Sequence, residues 1–262
     1  MKKIISLLLI SVLMVTMLVG CSGKKDWEYI QDKGTLVVGI TLYEPMNYYD
    51  ENGKLTGFDT EFAEAVCAKL GVEPVFQVIE WDKKELELQS RSIDCIWNGL
   101  TVSEERKQDM AFSTSYVENK QVIVIQAADA EKYASVADLT NITICAENGS
   151  AGQSAIEADA TLSANTFIGA SAQKDALLEV KAGTSQAAVL DYVLARAVIS
   201  EDTDYRDLMI MEGVELAKEE YAIGLRLEDQ VTLDKINGAI AELMADGTME
   251  ALGEKYGVNV VY

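Results

Sequence analysis

The spacing of apolar residues changes repeatedly between strand-like and helix-like over the first half of the chain. The run Thr35–Ile40 is apolar almost throughout and predicts a buried strand. In Phe58–Leu70, aromatic and aliphatic residues recur at every fourth position, which predicts a helix with one buried face, and Gly71 follows as a stop signal. Further strands are expected at Pro74–Ile79, Ile93–Trp97 and Gln121–Ile125. This alternation of element types is typical of α/β proteins.

Two helices between these strands are predicted from polar residues in their first turns. Asp82 and Glu85 have the spacing of a capping box, which predicts a short helix through Leu86. Ser103 is expected to cap a charged helix, because an acidic residue, Glu104, follows in the first turn and interacts favourably with the helix dipole. Each predicted helix therefore follows a predicted strand.

The same alternation of strands and helices is predicted again in the second half of the chain. Strands are expected at Ile142–Cys145, Ala187–Leu190, Leu208–Met211 and Tyr221–Leu225. Helices are expected at Ser135–Leu139, Ser171–Val180, Tyr192–Ile199, Thr232–Met244 and Thr248–Tyr256. Two successive sets of strands and helices predict an α/β fold with two sheets flanked by helices. Because ligands bind beyond the carboxyl ends of strands in such sheets, two facing sheets would form a cleft.

Residues 1–20 have the pattern of a lipoprotein signal peptide. A charged start precedes the apolar stretch Ile4–Val19, and Gly20 followed by Cys21 resembles a bacterial lipobox. An uncleaved transmembrane anchor is the alternative, but the stretch is short for a bilayer span. Cleavage before Cys21 and lipidation (palmitate) of this residue would anchor the protein to the outer face of the cell membrane, with residues 21–33 as a lipid-anchored tether.

Charge and composition exclude several classes of function. The 262 residues include 22 Lys and Arg against 43 Asp and Glu, a formal charge of −21, so no nucleic-acid partner is expected. The chain contains no histidine, which removes Ser-His-Asp and Cys-His catalysis and imidazole metal ligands. Three cysteines follow the lipobox, all in apolar segments without CxxC spacing. We therefore expect buried thiols, no metal site and no cofactor.

Polar residues follow the predicted strands at points where a ligand could reach them. After the strand that ends at Trp97 comes Asn98, then Gly99, which lets the backbone approach a ligand closely, and Thr101, which offers a hydroxyl group. Arg106 follows, and a guanidinium group is the natural bidentate partner of a carboxylate. A surface salt bridge with a neighbouring glutamate is the common alternative for such an arginine.

Two further features complete a set of candidate contacts. Ser150 and Ala151 stand at a predicted helix N-terminus, where N–H groups attract an anion, although an ordinary capping serine is the alternative. Asp191 directly follows the strand Ala187–Leu190 and could either receive an ammonium group or cap the next helix. Taken together, two groups that bind a carboxylate and one that binds an ammonium suit a zwitterion.

A series of longer motifs runs through the chain in a fixed order. They are GTLVVGI, YEPMNYYDENGKLTGFDTEFAEAV, EW, LQSRSIDCIWNGLTVSEERKQDMAFSTSYVENKQVIVI, ENGSA, AAVLDY, EEYAIGLR and LMADGTMEALGEKYG. In order and spacing they resemble the polar amino-acid-binding proteins of bacterial ABC importers, solute-binding protein family 3. The resemblance covers nearly all of Lys33–Gly257.

The resemblance implies a type II periplasmic-binding-protein fold, with two mixed sheets flanked by helices and joined by two hinge strands. Residues 34–120 and 221–262 would form lobe one, and residues 121–220 would form lobe two. It also implies an extracytoplasmic monomer without enzymatic activity. This lipid-anchored protein would bind a free, polar amino acid between the lobes and deliver it to the transmembrane subunits of an ABC permease.

The resemblance further implies roles for individual residues. The expected ligand-binding residues are Tyr43, Trp81, Asn98, Gly99, Thr101, Arg106, Glu147, Ser150, Ala151 and Asp191. Arg106 would clamp the ligand carboxylate and Asp191 would hold the α-ammonium, while Tyr43 and Trp81 would sandwich the ligand. Glu147 stands where the family often has lysine or glutamine, and an acid there would favour a polar or cationic ligand side chain.

Two other functions are compatible with this pattern. Some relatives of the family are dehydratases that act on cyclic acids, and such a reaction needs a general acid or base. In a chain without histidine, Glu147 or Asp191 would have to serve. A sensory domain is the other alternative, but such modules usually carry transmembrane and signalling segments, which favours delivery to a permease.

Overall fold

The computed structural model describes residues 26–261, which form two α/β lobes around two separate sheets. The strands are β1 (Thr35–Ile40), β2 (Tyr48–Tyr49), β3 (Leu55–Thr56), β4 (Glu73–Val78), β5 (Cys95–Ile96), β6 (Met110–Phe112), β7 (Val117–Gln126), β8 (Thr143–Glu147), β9 (Thr166–Ala170), β10 (Ala187–Asp191), β11 (Leu208–Ile210), β12 (Ala217–Tyr221) and β13 (Gly224–Arg226). The α-helices are α1 (Asp26–Lys33), α2 (Phe58–Leu70), α3 (Lys84–Gln89), α4 (Ala151–Ala158), α5 (Gln173–Ala182), α6 (Tyr192–Val198), α7 (Gln230–Ala245) and α8 (Thr248–Tyr256).

The first lobe is built on a five-stranded sheet with the order β4-β1-β5-β13-β6. Strand β1 pairs in parallel with β4 and β5, and β13 runs antiparallel to β5 and β6. Helix α2 covers this sheet, and the ring of its Phe62 packs edge-on against Trp97 with the ring centroids 4.9 Å apart. The carboxyl ends of β1 and β5 lead into the loops that reach the second lobe.

The second lobe is built on a sheet with the order β11-β7-β10-β8-β9, to which β12 is added by pairing with β7. Strands β9, β8 and β10 are parallel to one another, and β7 runs antiparallel to β10, β11 and β12. Because β8 and β10 are parallel neighbours, their last residues, Glu147 and Asp191, lie at the same edge of the sheet. That edge faces the first lobe.

The chain passes between the lobes twice, along β7 and back along β12. The two strands pair antiparallel, so that Asn119 lies opposite Glu219 and Val117 lies opposite Tyr221. An isolated bridge from Thr101 to Tyr221 extends this contact into the first lobe. The paired crossings form a two-stranded hinge beneath the space between the sheets.

Helix α2 has the bounds that the sequence predicts. Phe58, Phe62 and Val66 are fully buried on one face, as the helical spacing of these residues requires. Gly71 ends the helix in the left-handed conformation with φ 71°, which a residue without a side chain adopts at no steric cost. Local pattern and tertiary packing therefore agree over this segment.

Several element predictions are wrong in detail. Asp82 and Glu85 form no capping box, because Asp82 lies inside a 3₁₀ turn (Trp81–Lys83) and α3 begins only at Lys84 without a side-chain cap. The strand predicted at 93–97 is limited to the two residues of β5, and the strand predicted at 221–225 is divided between β12 and β13. Pairing partners, which a local pattern does not reveal, set these strand ends.

The predicted α/β fold with two mixed sheets is confirmed. The predicted signal peptide and the lipidation of Cys21 lie outside the described residues. Within residues 26–261, no helix is long and apolar enough to span a bilayer. The same part of the chain contains no cluster of three acidic or thiol side chains arranged to hold a metal ion.

Candidate functional site

A narrow pocket lies between the lobes, directly above the hinge. All ten residues predicted to bind a ligand line it, together with five that were not predicted: Thr41, Leu42, Ala172, Gln173 and Leu194. Its free volume is about 10 Å³, roughly the space of one water molecule. A wider cleft of about 680 Å³ continues outward from it, and Thr101, Arg106, Ser150 and Ala151 line both. The lobes are therefore close together at the centre and apart at the rim.

Arg106 reaches across the pocket from the first lobe. It begins a single 3₁₀ turn, Arg106–Gln108, which is much shorter than the charged helix predicted after Ser103. The Ser103 hydroxyl still accepts a hydrogen bond from the Arg106 N–H at 3.2 Å. The guanidinium group donates to the carbonyl oxygen of Thr101 at 2.9 Å and to that of Gly149, in the second lobe, at 3.2 Å. These bonds fix its plane while using only part of its donor set, so a carboxylate can still be bound.

Asp191 supplies the opposite charge from the end of β10. Its Oδ1 atom accepts hydrogen bonds from the amides of Asn119 and Gln121, both at 2.6 Å, and its Oδ2 atom accepts one from the amide of Gln173. Asp191 is the N-cap residue of α6, but its side chain makes no capping bond to that helix, so its carboxyl group is directed elsewhere. Burial raises the pKa of Asp191, and the amide donors together with Tyr221 oppose that rise. The amides thus orient a buried carboxylate toward the pocket.

A second acid, Glu219, lies under Asp191 on the hinge. Its Oε2 atom accepts hydrogen bonds from Thr101 Oγ1 at 2.9 Å and from the amides of Asn119 and Gln121 at 3.0 Å each. Burial and the charge of Asp191 raise the pKa of Glu219 to about 7. The hydroxyl proton of Thr101 is therefore directed to the hinge, which differs from the expectation that this group points to a ligand.

The aromatic wall of the first lobe is held by close packing. The ring of Tyr43 lies so near Gly99 that a Cβ atom there would come within 2.5 Å of Tyr43 Cε1. Gly99 has φ 55° and donates its N–H to the Oδ2 atom of Asp59 at 2.7 Å. The group that approaches Gly99 closely is therefore the ring of Tyr43. The Tyr43 hydroxyl lies 2.6 Å from that of Tyr221. Trp81, 6% exposed, forms the other wall.

Asn98 lines the pocket with its amide already bonded inside the first lobe. Its Nδ2 atom donates to the carbonyl oxygen of Thr41 at 2.9 Å and to Asn47 Oδ1 at 2.7 Å, and its Oδ1 atom accepts from the Thr41 hydroxyl at 2.7 Å. The amide therefore connects the end of β1 to the loop after β5. Its structural contribution is to hold the two loops that carry the aromatic wall and Thr101.

The second lobe presents the start of α4 to the pocket. Ser150 caps the helix, and its hydroxyl accepts from the N–H of Gln153 at 3.1 Å. Ala151 is the first helical residue, so its N–H group has no acceptor within the helix. Ser150 thus caps the helix, which was the alternative to a ligand contact, while its predicted contact with a ligand stays a prediction. The N–H groups of the first turn remain suited to an anion near Arg106.

Glu147 precedes this helix and is 3% exposed. Burial and the charge of Asp191 raise its pKa to about 8, while Lys84 and Arg106 oppose that rise. The nearby Lys84, 2% exposed, donates to the carbonyl oxygens of Trp81 and Gly149 at 3.2 and 3.0 Å. The pocket and the outer cleft together are therefore lined by two cations, Arg106 and Lys84, and three acids, Glu147, Asp191 and Glu219. Lys84, Glu147 and Asp191 are buried, whereas Arg106 and Glu219 are partly exposed.

The residues that sequence analysis missed lie on elements without a local motif. Asn119, Gln121 and Glu219 are on the hinge strands, where alternating polar residues are indistinguishable from an exposed strand edge. Gln173 is the first residue of α5, and its amide is brought to Asp191 only by the packing of that helix on the sheet. A polar residue at the start of a helix was the one signal that could have identified it.

Two lobes that enclose a pocket with opposite charges define a binding protein of the type II periplasmic class. The chain belongs to the bacterial extracellular solute-binding proteins, family 3, which it matches over residues 36–259. It is 27% identical over 260 residues to the L-cystine-binding protein TcyJ of Escherichia coli (strain K12), and the match covers 96% of both chains.

Two solved structures show the same architecture. The structure of Tv2483 bound to L-arginine has a TM-score of 0.83 and 28% sequence identity, and the match covers 89% of this chain and 95% of that one. The ancestral amino acid-binding protein AncCDT-1, a precursor of cyclohexadienyl dehydratase, has a TM-score of 0.78 and 28% identity, with 87% and 98% covered. These relatives are thus binding proteins, and one of them, AncCDT-1, is the precursor of an enzyme.

Proposed function

We propose that the protein binds a free amino acid in the pocket between its lobes and delivers it to the transmembrane subunits of an ABC permease. The observation that carries the proposal is that Arg106 and Asp191, of opposite charge, line one narrow pocket from different lobes. A zwitterion presents the complementary pair of charges at a fixed separation. Relatives named for binding cystine and arginine support the same ligand class.

The ligand carboxylate would be bound by Arg106 and by the N–H groups at the start of α4, next to Ser150 and Ala151. The α-ammonium would be bound by Asp191, and the rings of Tyr43 and Trp81 would cover the ligand from the first lobe. Each charge-assisted hydrogen bond contributes about 1.5–3 kcal/mol. A micromolar dissociation constant needs about 8 kcal/mol, so a few such contacts with aromatic packing suffice.

The same contacts explain how binding would be coupled to closure. Arg106 belongs to the first lobe, whereas Ser150, Ala151 and Asp191 belong to the second, so a ligand gains all its partners only when the lobes meet. A ligand that binds the closed form more tightly shifts the population toward it. The permease would then recognise the closed arrangement of the two lobes.

The lobe boundaries form part of this proposal. Residues 34–120 and 221–262 would move as lobe one and residues 121–220 as lobe two. The antiparallel pairing of β7 with β12 supports bending there, because both crossings are adjacent and the hydrogen-bonded pair can flex as a unit. Loops and element ends at such crossings absorb the dihedral changes of domain closure.

The protein would act outside the cytoplasm as a lipid-anchored monomer without a cofactor. Support for the anchor comes from the sequence around Cys21, and support for the location comes from the extracellular family. Asp26, which lies within the proposed tether and begins α1, accepts hydrogen bonds from the N–H groups of Val231 and Thr232, both at 2.8 Å. The tether would therefore join the first lobe.

A thermal-shift screen against the common amino acids and cystine tests the ligand class, because a ligand that binds only the folded state raises its stability. We expect at least one amino acid to raise the melting temperature, and Arg106→Ala to abolish the shift while the protein stays folded. Lys107→Ala, which changes an exposed neighbour bonded to Glu104, is the matched control. No shift with any amino acid would contradict the proposed function.

An enzyme is the second candidate, and the relationship to a dehydratase precursor is the observation that favours it. A buried Glu147 with a raised pKa could act as a general acid. Incubation with prephenate and related cyclohexadienyl acids distinguishes the two candidates. The binding function predicts no product above the uncatalysed rate, and turnover that is lost in Glu147→Gln would establish the enzyme instead.

A further inference from the structure

Two side-chain amides on the hinge, those of Asn119 and Gln121, are shared by two acids. Asn119 Nδ2 donates to Asp191 Oδ1 at 2.6 Å and to Glu219 Oε2 at 3.0 Å. Gln121 Nε2 donates to the same two oxygen atoms, also at 2.6 and 3.0 Å. Because a primary amide carries two N–H groups, each amide gives one of them to Asp191 and the other to Glu219. The two acids are therefore held at a fixed spacing by the same two hinge amides.

The oxygen ends of the hinge amides do little to fix their orientation. Asn119 Oδ1 accepts one long bond, from the N–H of Val193 at 3.3 Å, and Gln121 Oε1 is buried with no donor among the described residues. A half-turn of either amide would place its oxygen against a carboxylate, and a buried contact between two acceptors is costly. The acids that receive the N–H groups therefore hold the nitrogen atoms of the hinge amides toward Asp191.

Glu219 is the acid of this pair that is fixed from the first lobe. It lies on β12, and its Oε2 atom accepts a third hydrogen bond from Thr101 Oγ1 at 2.9 Å. Val102, next to Thr101, donates its backbone N–H to the carbonyl oxygen of Glu220 at 3.0 Å, which joins this loop to β12. Asp191, in contrast, ends β10 in the second lobe. Hydrogen bonds therefore run without a break from Thr101 through Glu219 and the hinge amides to Asp191.

Glu219 and the position proposed for the ligand lie on different sides of this network. Asp191 lines the inner pocket, whereas Glu219 lines the outer cleft and a second groove along the hinge strands. The carboxyl group of Glu219 is therefore placed to act on a ligand ammonium through Asp191 rather than by contact.

We propose that Glu219 is a positioning residue for the α-ammonium group: it holds the two hinge amides in the orientation that directs Asp191 to the ligand. This inference rests on the proposed function, because it concerns the ammonium end of the same site. Hydrogen bonds to an ionised acceptor are about twice as strong as those to a neutral one, so the charge of Glu219 matters as well as its position. The N–H groups that the two acids share also offset the repulsion of their like charges.

A double-mutant cycle measured by calorimetry tests the proposal. The probe is the amino acid that binds most tightly in the thermal-shift screen, with L-arginine and L-cystine as the first two candidates. Glu219→Gln keeps the size of the side chain but replaces an anionic acceptor with a neutral one, so we expect the affinity to fall by about ten-fold. In the Asp191→Asn background, the same change should reduce the affinity by less than about two-fold, because the group through which Glu219 acts has already lost its charge.

An analogue of the same amino acid without its α-amino group supplies a measurement that a merely structural role would not explain. Glu219→Gln should leave the affinity for this analogue unchanged within about two-fold, which also shows that the variant is folded. The control is Glu220→Gln, which makes the same change at the next, exposed residue of β12, whose side chain points to the opposite face of the strand. It should alter the affinity for neither ligand.

Three results would overturn the inference. They are an affinity that is unchanged or higher in Glu219→Gln, an equal loss for the amino acid and its analogue, and an undiminished loss in the Asp191→Asn background. In each of these cases the wild type still binds an amino acid, so the proposed function survives. The absence of binding by any amino acid overturns both.

Discussion

Lys84 Nζ lies 3.0 Å from the carbonyl oxygen of Gly149, so a buried lysine of the first lobe is bonded to the backbone of the second. The same oxygen accepts a bond from Arg106 at 3.2 Å. These two bonds join the lobes through protein groups alone. Burial and the neighbouring Arg106 lower the pKa of Lys84, because both disfavour the charged form of its ammonium group. Closure of the cleft therefore depends on a contact that no ligand supplies.

Lys84→Met should shift the lobes toward an open arrangement, because the hydrophobic side chain can fill the site but cannot bond to Gly149. Small-angle X-ray scattering should show a larger radius of gyration without added amino acid, and ligand affinity should fall by about ten-fold as fewer molecules are closed. Lys83→Met removes an exposed neighbouring lysine that is bonded to Glu80 and serves as the control. Scattering curves that coincide for the wild type and both variants would contradict this role of Lys84.

The loss of affinity in a variant without the Asp191 charge should depend on whether the ligand carries an α-ammonium group. Asp191→Asn keeps the shape but removes the charge, so we expect the affinity for the cognate amino acid to fall by about 100-fold or more, as for one partner of a buried charge pair. An analogue without the α-amino group should bind the wild type weakly and bind Asp191→Asn equally weakly. Calorimetry of both ligands with both proteins measures this coupling. If Asp191→Asn weakens the binding of both ligands by the same factor, Asp191 does not contact the α-ammonium group.

The fold itself should be more stable in mild acid than at pH 8. Burial raises the pKa of Asp59 to about 7, and Glu219 and Glu147 have raised values of about 7 and 8. The folded state thus holds protons that the unfolded state loses near pH 4, so stability falls as pH rises from about 4 to 8. Melting temperatures should decrease from pH 5 to pH 8, and Asp59→Asn should flatten the slope. A rising melting temperature over this range would be inconsistent with these buried acids.

The contact of Asp26 with the start of α7 should contribute to stability as a helix cap does. Asp26→Ala removes the acceptor for two N–H groups and should lower the free energy of unfolding by about 1 kcal/mol in urea denaturation. Glu28→Ala changes an exposed acid of the same helix and should have little effect. Equal midpoints for the two variants would show that Asp26 is dispensable.

Local patterns predicted the elements whose ends are set by local chemistry. Helix α2 follows the spacing of its aromatic residues, and Gly71 stops it because only the left-handed conformation continues the chain there. The capping box at Asp82 does not form because Asp82 lies inside the 3₁₀ turn that begins at the buried Trp81. Sequence alone does not contain the packing that imposes this.

The candidate site was predictable where residues end strands and unpredictable where they lie on the hinge. Asp191 was predicted from its place after a buried strand, and Glu147 from the family resemblance alone. Both are the last residues of parallel strands, whose carboxyl ends meet at one edge. Asn119 and Glu219 meet only because β7 and β12 pair in one register across nearly 100 residues of intervening chain. Their shared hydrogen bonds, which orient Asp191, follow from that register rather than from any motif.

The hydrogen bonds between Asp26 and the first turn of α7 connect the N-terminal end of the described chain to the first lobe. A pull along the residues that precede Asp26 is transmitted to α7, which packs on α2 in the first lobe. In the proposed closure, the second lobe would move on the hinge strands and lies outside this path. A tethered molecule of this design would present one stationary half to the membrane and move only the other.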